Sequence, residues 1–187
     1  IKEALEKTPI KGRITLSGYE GSELLVARLL IESGAEVPYV GTACPKTEMS
    51  KVDAAWLSQK GVAVMFRASL EDDLSAIDAF EPDLAIGTTP VVQHAKEKGR
   101  PGLYFTNLVS ARPLMGIAGA GSLAEVINTA ISNRDRMANL KGFFEGVGTD
   151  DTSGVWEASP NLRPDFRAQH QKKLDKAAKA AKAQEMI

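Results

Sequence analysis

The sequence predicts an α/β fold: a doubly wound, mostly parallel sheet covered by helices on both faces, with a C-terminal helical tail. Three observations predict it. Short apolar runs alternate with longer segments of helical periodicity from Lys11 to Arg134. Turn residues separate each pair, as in strand–helix–strand crossovers. The 187 residues, 43% hydrophobic and 25% charged, are ordinary for a soluble chain of about one domain.

The first strand is read over Lys11–Gly18 (KGRITLSG), which rises from charged to apolar and stops on glycine. A helix follows over Gly21–Ser33, with Ser22 as N-cap and Gly34 as terminator. Glu36–Thr42 (EVPYVGT) is the second strand and Ser50–Gly61 the second helix. Val62–Phe66 is the third strand. Ser69–Phe80 is a helix with Ser69 as N-cap and Asp72 three residues on, a capping-box variant. Pro82 breaks it, and Asp83–Gly87 is the fourth strand. Thr89–Gly99 is a helix with Pro90 in its first turn. Gly102–Phe105 is the fifth strand, and Gly121–Arg134 a last helix with Leu123, Val126, Ile127, Ala130 and Ile131 at helical spacing.

Residues 1–144 therefore form the α/β domain, 145–164 a turn-rich connector, and 165–187 an Ala/Lys-rich helix. From Arg163 onward there are seven basic and three acidic residues, which leaves −5 for the rest of a chain of net charge −1. The tail has few large apolar residues to bury and is expected to dock on another subunit. Residue 1 is Ile, and IKEALEK reads as helix already under way, so a fragment is expected.

The balance of charge does not indicate a nucleic-acid surface. No run approaches the 18 or so apolar residues of a membrane span. A single cysteine, Cys44, excludes an internal disulfide, and no His/Cys/Asp/Glu cluster has metal-ligand spacing. The cytoplasm is the expected compartment.

In an open parallel sheet, ligands bind beyond the carboxyl ends of the strands. The segments there are Gly18–Ser22, Thr42–Thr47, Arg67–Ser69, Gly87–Pro90 and Thr106–Gly121. The first has a GxxG pattern but not the three glycines of a dinucleotide fingerprint, and Glu20 would repel a pyrophosphate. Cys44 reads as a small buried residue, and His94 as a solvated helix histidine. Gly87-Thr88-Thr89-Pro90 either caps a helix or touches a ligand. The stretch Thr106–Gly121 reads as a long Gly-rich loop. Its Thr106, Asn107, Ser110, Arg112, Leu114 and Met115 are the candidate substrate-binding residues, Arg112 being a bidentate anchor for a carboxylate. Leu108 and Val109 would add apolar wall. Equally, Gly116, Gly119 and Gly121 would serve only close backbone packing.

Several long stretches carry a resemblance. Gly18–Gly34 (GYEGSELLVARLLIESG), Val37–Pro45 (VPYVGTACP), Pro82–Val92 (PDLAIGTTPVV), Tyr104–Met115 (YFTNLVSARPLM), Phe143–Gly148 (FFEGVG) and Asn161–Phe166 (NLRPDF) resemble the family of chlorophyllide a reductase Y subunits. That family is similar in turn to nitrogenase component 1. The resemblance implies a Rossmann-like domain from the C-terminal part of such a subunit. It implies a catalytic component formed with subunit Z. An ATP-hydrolysing reductase, subunit X, would send electrons singly to a 4Fe-4S cluster whose ligands lie outside this chain. The substrate would be chlorophyllide, reduced at the C7=C8 bond of ring B in bacteriochlorophyll synthesis. The location would be the bacterial cytoplasm, with a peripheral place at photosynthetic membranes left open. In nitrogenase homologues a histidine ligand of the metal cofactor falls at Thr106, which fits a tetrapyrrole site better than a metal one. Two alternatives stand beside this: a stand-alone nucleotide- or small-molecule-binding α/β domain, and a purely structural domain of the complex.

Overall fold

The computed structural model describes residues 6–110, 116–139 and 141. The chain divides into two units, Ile1–Phe143 and Phe144–Ile187. The expected connector 145–164 and tail helix 165–187 lie outside the described residues.

Five strands form one sheet: β1 (Arg13–Gly18), β2 (Glu36–Thr42), β3 (Ala63–Phe66), β4 (Leu84–Gly87) and β5 (Gly102–Tyr104). Their order is β3-β2-β1-β4-β5, and every pairing is parallel. The helices are α1 (Glu23–Glu32), α2 (Ser50–Gln59), α3 (Leu70–Phe80), α4 (Thr89–Glu97), α5 (Phe105–Ser110), α6 (Gly116–Ser132) and α7 (Arg134–Ala138). The chain winds outward from β1 to β3, then returns to place β4 on the other side of β1. That reversal creates a switch point between β1 and β4, where such sheets open a crevice.

The two faces of the sheet differ. On one, Ile14, Leu16, Val40, Leu84 and Ile86 pack with Leu24, Ala27 and Leu30 of α1, Leu57 of α2, and Leu123, Ile127 and Ile131 of α6. The other holds a smaller apolar cluster, Ile77, Ala85, Val91 and Ala95, under α3 and α4. There β1 presents Thr15 and Ser17, which are buried, in place of aliphatic residues. The small side chains and glycines of this face let the helices come close: a Cβ on Gly87 would lie 2.5 Å from Val91 Cγ1.

Local signals explain most boundaries. Ser69 caps α3 in a reciprocal box with Asp72, as expected. Pro90 occupies the first turn of α4, where its missing N–H costs nothing. Gly34 takes φ +97° just after α1, a conformation that favours glycine. Ser22 departs from expectation. It stands at the N-cap of α1, but its side chain makes no capping bond.

The largest correction concerns Thr106–Gly121, expected as a loop. Phe105–Ser110 is the short helix α5, and α6 begins at Gly116, more than a turn before the expected start at Gly121. Glycine weakens a helix by roughly 1 kcal/mol relative to alanine, so its pattern here reads as loop. Tertiary packing overrides it: Gly119 is buried, and the helix continues into the core through Leu123, Ala124 and Ile127. Phe105, expected as the end of a strand, starts α5 and is 2% exposed.

Candidate functional site

At the switch point, a cleft of about 500 Å³ opens beyond the carboxyl ends of β1, β4 and β5. Its lining is Tyr19 from the β1–α1 turn, Gly87–Pro90 from the β4–α4 turn, Tyr104 at the end of β5, and Thr106 and Asn107 on α5. The volume is that of a small-molecule site. Each of these side chains is formally neutral. Tyr19 is 58% exposed, and its hydroxyl stands 3.4 Å from Thr106 Oγ1 across the mouth of the cleft. Lys96 Nζ lies 5.9 Å from the centroid of the Tyr104 ring. Two aromatic rings and four hydroxyl or amide side chains suit a flat, largely apolar ligand that offers a few polar groups.

The structure thus brings together two of the six sequence-predicted site residues. Thr106 and Asn107 are exposed in the cleft. Ser110 does not line it: one turn further along α5, its hydroxyl donates to the carbonyl of Thr106. Arg112, Leu114 and Met115 lie outside the described residues. Leu108, expected as pocket wall, is mostly core at 6% exposure, and Val109 packs against the same core. Sequence reasoning missed Tyr19 and Tyr104. The available signal was position, since each sits at the carboxyl end of a strand next to the switch point.

The β1–α1 turn, where nucleotide-binding sheets cradle phosphate, is closed by the chain itself. Glu23, in the first turn of α1, is fully buried. Its carboxylate accepts from the Glu20 N–H at 2.7 Å and from Thr42 Oγ1 at 3.0 Å. A Cβ on Gly18 would lie 2.6 Å from Glu23 Oε1. The carboxylate therefore occupies the place where a helix N-terminus would take an anion. Repulsion by Glu20 was expected to disfavour a nucleotide; direct occupancy by Glu23 is the stronger reason. Cys44 is half-buried and its thiol reaches the Tyr19 carbonyl at 3.5 Å, which ties the same turn to β2. His94 is not simply solvated. It is four-fifths covered, with Nε2 3.1 Å from Asp78 Oδ1. Burial would lift the Asp78 pKa, but Lys98 and His94 together hold it below the usual range.

On the far face of the sheet, Tyr39 donates to Asp73 Oδ1 at 2.8 Å. Burial, aided by the neighbouring charges of Asp72 and Glu23, pushes Asp73 up to about 6 against the pull of its hydrogen bonds. Burial and the Asp73 carboxylate likewise raise Tyr39. Among the described residues, no three His, Cys, Asp or Glu side chains come together to hold a metal. With one cysteine in the chain, these residues cannot by themselves supply the four thiolates that hold an iron–sulfur cluster. No helix of the described residues is long and apolar enough to cross a membrane.

Residues 2–132 match the family model of nitrogenase component 1 type oxidoreductases. The chain belongs to that family. Among curated relatives, it is 72% identical over all 187 residues to the chlorophyllide reductase 52.5 kDa chain of Cereibacter sphaeroides. It is 68% identical over the same span to the protein of that name from Rhodobacter capsulatus. It spans 37% and 38% of their lengths. A solved structure, nitrogenase Cp1 at pH 6.5, superimposes with a TM-score of 0.58 over 71% of this chain and 31% of its own, at 24% identity. That likeness shows the shared fold.

Proposed function

We propose that this domain forms one wall of the pigment site in the catalytic component of a light-independent chlorophyllide a reductase. Two relatives named chlorophyllide reductase, at 72% and 68% identity over the whole chain, support the reading. The observation that carries it is the cleft: neutral, flanked by tyrosines and placed at the switch point with Thr106 and Asn107 inside. A chlorin is flat and apolar, with a carbonyl and a propionate as polar handles. Tyr19 and Tyr104 offer ring faces, and the threonine hydroxyls and the Asn107 amide offer hydrogen bonds. Arg112 is the proposed anchor for the propionate, with Leu114 and Met115 as further apolar wall.

In this reading the domain works inside a larger assembly. Subunit Z completes the pigment cavity. A 4Fe-4S cluster with ligands outside these residues receives electrons from the ATP-hydrolysing subunit X, and the C7=C8 bond of chlorophyllide is reduced. The domain's own residues bind and orient the ring and keep water from it. A nucleotide-binding role is disfavoured by the carboxylate that fills the first turn. The assembly is placed in the cytoplasm.

The test uses the full-length chain assembled with subunit Z. Pigment affinity is read by absorbance titration, and turnover by conversion of a chlorin to a bacteriochlorin spectrum with ATP and the reductase. Thr106→Val with Asn107→Ala is expected to weaken chlorophyllide binding about tenfold, as loss of hydrogen bonds totalling about 1.4 kcal/mol predicts. Arg112→Ala is expected to weaken it as well. Unchanged affinity in both variants would remove the cleft from the pigment site.

A further inference from the structure

A hydrogen bond crosses the mouth of the cleft. The Tyr19 hydroxyl stands 3.4 Å from Thr106 Oγ1, near the limit of such a bond. The supports on either side of it are held firmly. On one side, the β1–α1 turn is pinned residue by residue. The Gly18 carbonyl accepts from the Ala43 N–H at 2.9 Å, the Tyr19 carbonyl accepts from the Cys44 thiol at 3.5 Å, and the Glu20 N–H donates to Glu23 Oε1 at 2.7 Å. On the other side, Phe105 and Leu108 seat α5 in the core. The Tyr19 side chain is the loose part. It is 58% exposed, and among the described residues its ring meets no other aromatic ring and no cation.

A flat ring slides between two groups only where they stand roughly 7 Å apart, twice the contact distance of about 3.5 Å. Tyr19 and Thr106 are far closer than that, so their bond must open before a ring can pass between them. We propose that Tyr19 is a side-chain gate for the pigment. Its hydroxyl latches to Thr106 before the pigment enters; its ring swings out to admit the macrocycle and then lies against it. The inference rests on the pigment reading given above. The backbone of the turn stays where its hydrogen bonds hold it. Rotation about the Cα–Cβ and Cβ–Cγ bonds is enough, and an exposed side chain makes such moves in picoseconds to nanoseconds.

Latch and ring act on different steps. The hydroxyl bond competes with entry, so it reduces the share of encounters that find the mouth open and slows association. The aromatic ring, once it lies on the pigment, slows release. Because the bond is long, the closed form outweighs the open one only a few-fold. Removing the hydroxyl alone therefore tightens binding, the reverse of what loss of a pigment contact would do.

The experiment uses the full-length chain assembled with its partner subunit, without ATP or reductase, so that binding is read apart from turnover. Chlorophyllide is mixed in by stopped flow, and association and dissociation rates are followed by absorbance. Tyr19→Phe is expected to raise the association rate about threefold and to leave dissociation within about twofold. Tyr19→Ala is expected to associate as fast as Tyr19→Phe and to dissociate about tenfold faster. Association of Tyr19→Phe at the wild-type rate would overturn the gate, as would dissociation of Tyr19→Ala at the wild-type rate. The pigment wall is judged on a different rate. The Thr106→Val, Asn107→Ala chain also lacks the latch, so its lost ring contacts show as faster dissociation. Unchanged affinity there and in Arg112→Ala removes the wall; weakened binding in those variants beside a failed Tyr19 series removes only the gate.

Discussion

At the scale of single residues, the polar groups on the two faces of the sheet behave differently. Glu23 is buried among donors that need it. Glu23→Ala would leave the Glu20 N–H and Thr42 Oγ1 without their acceptor. The expected cost is about 1–3 kcal/mol, read from urea denaturation. Asp73 works in the opposite sense. Its pKa is raised on folding, so between about 4 and about 6 the folded state holds more protons than the unfolded chain. Stability from this group is therefore present at low pH and is lost as pH rises through about 6. Asp73→Asn should accordingly gain stability relative to wild type between pH 4 and pH 7, seen in parallel thermal melts. Gly41→Ala tests the same spot by steric means. Its methyl group would strike Asp73 and Tyr39, and overpacking of this kind costs roughly 1–3 kcal/mol.

At the scale of elements, caps and breakers were the most legible part of the sequence. Ser69 and Asp72 announce the start of α3 because a capping box needs two side chains at fixed spacing, and Ser69→Ala should cost about 0.5–2 kcal/mol by denaturant unfolding. Pro90 and Gly34 were legible for the same reason: each imposes a backbone angle that only some positions tolerate. The start of α6 was not. Gly116, Gly119 and Gly121 carry a local preference against helix, and what overrides it is a core that no local window contains. Part of the candidate site was hidden by the same blindness. Thr106 and Asn107 were found because a polar stretch follows the fifth strand. Tyr19 meets Thr106, 87 positions further along, only after the intervening chain has folded. That Glu23 turns inward and closes the first turn was not legible, since which of two nearby acids does so depends on Gly18 and Thr42, one of them on another strand.

At the scale of the whole sheet, the two faces differ in how they are packed. The large core on the α1, α2 and α6 side holds the fold. Leu30 is completely buried there, and Leu30→Ala should cost about 2–5 kcal/mol in the full-length chain, measured by urea titration. The α3 and α4 side, with Thr15, Ser17 and its glycines, trades apolar area for close approach and carries the half-buried Asp73. Between the two, the strand order sets one place where a ligand can enter: the reversal at β1 and β4 leaves room, and the cleft lies there.

One side chain at the head of α1 decides how this architecture is to be classified. Judged by outline, the domain would be grouped with the many sheets that hold ATP or NAD in their first crossover. It carries a counterfeit of that guest, tethered by a covalent backbone and never released. An engineer wanting such a pocket here would have to evict Glu23 before any phosphate could enter.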